Sequence, residues 1–128
     1  MIRRTLLVGC LALAFLSWPN SSFAQEQSIR KKNVPKAVLE AFRKSYPKAA
    51  IKGYSKEAEG DIVVYEIEST EATVHRDVTY KADGSLISIE ESLSFKDMPG
   101  PVRKTIRNLY PDAKVSGCEK LTKGSTVQ

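Results

Sequence analysis

Residues Val34–Val64 and Met98–Gln128 align without a gap at a fixed offset of 64 residues. Ten positions are identical: Pro35/Pro99, Val38/Val102, Arg43/Arg107, Tyr46/Tyr110, Pro47/Pro111, Ala49/Ala113, Gly53/Gly117, Lys56/Lys120, Gly60/Gly124 and Val63/Val127. Chance at ordinary residue frequencies gives about two. Phe42/Ile106 and Ile51/Val115 keep apolar character as well. A self-similar chain of this kind is built from a duplicated supersecondary unit. With 128 residues in all, both units must fit one domain.

Each unit opens with a helix. Proline suits the first helical position, where a missing N–H costs nothing, and Asn33 and Asp97 just upstream are capping residue types. In the first helix Val34, Ala37, Val38, Ala41, Phe42 and Tyr46 recur at steps of three and four, one apolar stripe suited to packing on a sheet. Met98, Val102, Ile106, Leu109 and Tyr110 repeat the stripe in the second. Proline drives the residue before it out of the α region, so Tyr46-Pro47 and Tyr110-Pro111 are helix stops.

Strands follow the first helix. AAIKGYSKEA reads as a strand with a bulge or close contact at Gly53. In DIVVYEIES, Val63, Tyr65 and Ile67 oppose Val64, Glu66 and Glu68; in TVHRDVTYK, Val74, Arg76, Val78 and Tyr80 oppose His75, Asp77 and Thr79. Asp83-Gly84 marks a hairpin turn. The following strand is expected to face Ile87, Ile89, Leu93 and Phe95 one way. Unit one, residues 34–97, is α-β-β-β-β. Unit two, residues 98–128, carries a helix, one strand and the start of another. The expected fold is therefore α+β, a tandem α-β-β-β-β type repeat with its second repeat incomplete and helices packed on an antiparallel sheet. Two partial units then share one sheet or leave an edge strand open to a partner or to self-association.

The front of the chain has another purpose. MIRR, an apolar run from Leu6 to Trp18, and small residues at Ser22 and Ala24 describe a secretory signal peptide over residues 1–24, cut at Ala24–Gln25. The run is shorter than the roughly 18 residues a membrane-spanning helix needs. Leu7-Val8-Gly9-Cys10 resembles a lipobox, and a lipid anchor through Cys10 is the alternative to a periplasmic or secreted product. Residues 25–33, rich in polar and basic side chains, are expected as a flexible lead segment. After cleavage Cys118 is the sole cysteine, which excludes an intramolecular disulfide.

Charge is distributed unevenly. Residues 30–56 hold nine Lys/Arg against Glu40, and residues 57–97 hold eleven acidic residues against three basic ones. The mature net charge of +3, from 18 basic and 15 acidic residues, points to no nucleic-acid partner.

The pair VP-x-AV-x-x-AF-x-x-x-YP-x-A and MPGPV-x-x-x-I-x-x-LYP-x-A, with a Y-x-I-E strand and a DG hairpin between, resembles the PepSY-like periplasmic proteins, which are related in fold to β-lactamase inhibitor protein. The resemblance spans about residues 30–128. It implies a small exported α+β protein whose sheet binds other proteins or peptides, with inhibition of enzymes suspected for such domains.

Catalytic chemistry is not expected from these residues. A nucleophile needs a base beside it, and the single histidine, His75, has no positioned partner on its strand face. His75 and Asp77 with Glu66 and Glu68 offer four groups to a divalent cation, the basis of an alternative reading as a metal-handling or envelope-stress protein; the same pattern describes a solvated sheet face. Asp83-Gly84 lacks the further ligands of a calcium loop. No cofactor is expected. The expected binding surface is the polar outer face, with Glu66, Glu68, His75, Asp77, Thr79, Ser88 and Glu90, flanked by a basic helix and suited to an envelope protein or peptide.

Overall fold

The computed structural model describes residues 25–124 and 126–127, so the expected signal peptide, the lipobox at Cys10 and the cleavage point at Ala24 lie outside the described residues. Strands β1 (Gln27–Ser28), β2 (Ala50–Glu59), β3 (Ile62–Glu71), β4 (Val74–Lys81), β5 (Leu86–Ser92), β6 (Glu119–Lys123) and β7 (Thr126–Val127) form one antiparallel sheet in chain order. Helix α1 (Lys36–Ser45) lies between β1 and β2, and α2 (Gly100–Leu109) between β5 and β6. The fold is α+β, and the two partial units share a single sheet.

The duplication is visible in backbone angles. Pro35 and Pro99 precede their ten-residue helices with φ/ψ of −55°/139° and −51°/135°, and Tyr46 and Tyr110 close them at −131°/65° and −136°/66°. Gly60 and Gly124 both turn through the left-handed region, at φ 60° and 54°. Both prolines stand one position earlier than expected, as N-caps. Each forces an extended residue before it, Val34 or Met98. That extended residue separates the helix from a short 3-10 turn, Lys31–Asn33 or Phe95–Asp97. Asn33 and Asp97 therefore belong to those turns, and no side chain caps either helix.

The lead segment is also corrected. Gln27 and Ser28 pair with Lys56 and Ser55 as an edge strand, and Ile29 packs against the core. Residues 25–33 are taken up into the fold because β2 offers them an unpaired ladder.

The core sits between α1 and one face of β3 and β4. Val38 and Phe42 are fully buried against Ile67, Val78 and Tyr80, with Val34 and Ala49 closing the ends of the cluster. Gly84 allows the close fit at the start of the helix. It turns the β4–β5 hairpin at φ +87°, and a Cβ there would stand 2.8 Å from the Ala37 carbonyl oxygen. The bulge expected at Gly53 is present as a register shift between Ile51 and Gly53. A second shift, between Thr79 and Tyr80, leaves Ile87 without a partner on β4. This bulge turns Ile87 to the outer face, so it does not join Ile89 in the core.

The two helices differ in what covers them. Val102, Leu109 and Tyr110 are 44%, 66% and 63% exposed, and α2 has no buried residue. At the offset of 64, β7 matches the start of β3. Residues 114–118, aligned with the first half of β2, are irregular up to β6. The stripe expected to pack α2 on the sheet is therefore largely open. Replacing Phe42 by Ala should cost about 3–5 kcal/mol. Ile106→Ala at the equivalent position should cost less than about 1 kcal/mol. Urea denaturation followed by circular dichroism measures both, and equal costs would contradict the asymmetry.

Candidate functional site

Alternation along the strands sends one set of side chains to the α1 side and the other to an outer face that no described element covers. The register places Glu66 opposite Thr79, Glu68 opposite Asp77, Thr70 opposite His75, Asp77 opposite Glu90 and Thr79 opposite Ser88. All of the expected site residues thus share the outer face. Glu66, Thr79 and Glu90 line one cleft, whereas His75 stands apart and exposed near the β3–β4 turn. Its backbone N–H donates to Ser92 Oγ at 2.8 Å. Among the described residues, no three His, Cys, Asp or Glu side chains converge as metal ligands would. The carboxylates are spread along the face.

The cleft, about 260 Å³, runs across β2 to β6. Its floor holds Val64, buried although it points outward, together with Ile87 and Leu121. Glu26, Glu57, Glu59, Glu66 and Glu90 form its walls, and Lys123 stands at the β6 end. Glu68, together with Glu26, Ser55 and Glu66, lines an adjoining depression over Gly53. Ser55 is 7% exposed, and its Oγ is buried without a hydrogen-bond partner.

Three wall residues were not anticipated. Glu57 and Glu59 alternate with Ser55 along β2, a period-two signal that was present in the sequence. Glu26 lies in the lead segment, residues 25–33, and nothing in that segment's own residues marks a strand.

Crowding shifts the acids. Burial, then the charges of Asp77, Glu26, Glu90 and Glu57, push the Glu66 carboxyl up to about 7. Asp77 is also raised, by burial and by Glu68, with His75 opposing, and its Oδ1 is buried without a partner. On the opposite face, Glu91 is lowered by hydrogen bonds from Lys120 and Arg76. The outer face therefore carries negative charge at a cost that an arriving cation relieves.

A family model described as "Putative beta-lactamase-inhibitor-like, PepSY-like" matches residues 17–88 and again residues 65–128. The chain belongs to the PepSY-like family. Two overlapping matches accord with the internal duplication. Among solved structures, a "putative calcium-regulated periplasmic protein" of Bacteroides thetaiotaomicron is 16% identical, with a TM-score of 0.45, covering 76% of this chain and 81% of that one. A "putative periplasmic protein of unknown function" of Bacteroides vulgatus is 14% identical, with a TM-score of 0.45, covering 77% and 85%. No curated protein matches the chain. No helix among the described residues is long and apolar enough to cross a membrane.

The raised Glu66 has a consequence for stability. Folded, it keeps its proton up to about 7; unfolded, it loses it near 4.5. The stability this confers is complete below 4.5 and drains away as pH climbs to 7. Glu66→Gln should therefore match the parent at pH 4 and be more stable at pH 8, by about 1 kcal/mol once solvent screening at this half-buried site is allowed for. Thermal melts at the two pH values measure it, and a variant less stable at pH 8 would contradict the assignment.

Proposed function

We propose that this PepSY-like chain is an exported, non-catalytic binding module that docks a basic protein or peptide on its outer sheet face. The observation that carries this reading is the uncovered face itself. Carboxylates from the β1 end through β2, β3, β4 and β5 stand on one side of the sheet, and α1 occupies the other. A solvated face needs no such concentration of like charge, which costs stability at Glu66 and Asp77. Positive partners gain from it in both steering and contact. Export to the periplasm rests on the signal-type residues 1–24, and the inhibitor-like description of the family agrees with a binding role.

Glu66, Glu68 and Asp77 replaced together by Ser should abolish capture of a crosslinked partner from an envelope extract, and the parent's capture should weaken steeply between about 0.05 and 0.5 M salt. Capture unchanged in the triple variant would overturn the sheet-face reading.

The open α2 stripe favours a second mode, strand addition at the β7 edge, main chain against main chain. A purified protein that stays monomeric at high concentration by light scattering, with no bound peptide, would count against that mode.

A further inference from the structure

Within the outer face, and resting on the reading just given, we propose that the cleft over Ser55 is a subsite for one lysine or arginine side chain of the partner. Two features select this chemistry over a bare metal ion. The first is the floor. Val64 is buried, and Ile87 and Leu121 are half-buried, although all three point away from the α1 core. An apolar floor between carboxylate walls fits a side chain with an aliphatic stem and a charged head. A hydrated divalent cation has no use for the stem's place, and the carboxylates do not gather round a point as its ligands would.

The second feature is Ser55. Its side chain is more than nine-tenths buried, and its Oγ has no partner, although it lies among Glu26, Glu57 and Glu66. A buried hydroxyl without a hydrogen bond costs about 1–3 kcal/mol. A hydroxyl oxygen accepts from ammonium or guanidinium N–H groups, so a bound cationic head would satisfy Ser55 and the carboxylates together. The β-bulge that sends Ile87 outward completes the same cleft.

Binding there is coupled to a proton. Glu66 on β3 is faced by Glu26 beside β1, by Glu57 on β2, by Asp77 on β4 and by Glu90 on β5. Glu59 on β2 and Lys123 on β6 complete the rim, and Lys81 stands opposite Val64 on β4. Among the described residues, Lys123 forms no ion pair with any of these carboxylates. A cation entering the cleft favours ionised Glu66 and expels its proton. With Glu66 near 7, about half a proton leaves per site at pH 7, and affinity rises from pH 6 to pH 8.

The test is calorimetric titration of the purified chain with tetralysine, with fully acetylated tetralysine and with calcium chloride alone, at pH 6, 7 and 8 in buffers of different ionisation heat. Tetralysine should bind and release protons at pH 7, and the acetylated peptide should not bind. Glu66→Gln should remove the proton release and weaken binding about tenfold at pH 8, the size of one charge-assisted contact; Ser55→Ala should weaken it severalfold. Three results would overturn the proposal: no binding of tetralysine, equal binding of the acetylated peptide, or calcium heat lost in Glu66→Gln, which would reassign the cleft to a divalent ion. A Glu68→Ser/Asp77→Ser double variant separates the two levels. Binding lost there but untouched by Glu66→Gln and Ser55→Ala leaves the sheet face standing and removes the cleft. Binding untouched by all of them removes both.

Discussion

Arg76 is the cation around which the covered side of the sheet is organised. It points to the α1 face of β4, only 9% exposed. Its guanidinium lies 4.1 Å from the centre of the Tyr46 ring, and it pairs with Glu91 at 2.9 Å and Glu71 at 3.3 Å. Glu91 passes the contact to Lys120 on β6 at 2.7 Å. A desolvated guanidinium under an aromatic face is worth about 2 kcal/mol. A buried charge stripped of its partners would cost more than that to keep. The end of α1, the β3 hairpin, β5 and the first strand of unit two are thereby tied to one side chain. Tyr46 thus serves as the lid over that cation as well as the end of a helix. Its counterpart Tyr110 stands exposed, and among the described residues no cation lies over its ring.

The two sides of the sheet treat the same residue type in opposite ways. Glu91 is drawn below the ordinary carboxylate range by its cations, and Glu66, on the other face, is held above it by burial and like charge. Adjacent residues on one strand, Glu90 and Glu91, belong to these two environments because a pleated strand alternates its side chains. One face is a satisfied network and the other an unsatisfied one. That difference is why the binding proposal falls on the outer face.

Much of this was legible in the residues. The period of two in TVHRDVTYK placed Arg76, Val78 and Tyr80 on one side and His75, Asp77 and Thr79 on the other, as found. The offset of 64 placed both helices and both Tyr-Pro stops to within one residue. What failed was non-local. Ile87 leaves its expected face because of a bulge in the pairing with β4, which no local pattern encodes. Glu26 joins the acidic face because β2 has a free edge. The α2 stripe looks like that of α1, yet a stripe says only that a surface seeks cover, and the cover comes from strands elsewhere. Ser55 reads as an ordinary polar strand residue; its isolation is a property of its neighbours.

The strand order has a consequence in time. No crossover interrupts the sheet, and every strand hydrogen-bonds to the strand before it in the chain. Four of the six pairings among the described residues, β2 with β3, β3 with β4, β4 with β5 and β6 with β7, join strands separated by no more than four residues. Such contacts are close in sequence, and folding is fast when contacts are local. The central meander can therefore assemble by successive hairpins, each presenting the edge the next requires. Only β1 and β6 must wait for a helix to fold back, which makes the two helical returns the slow steps of assembly. The cleft draws a wall from Glu26 beside β1, and part of its floor and its far end from Leu121 and Lys123 on β6, so it is among the last parts of the molecule to form.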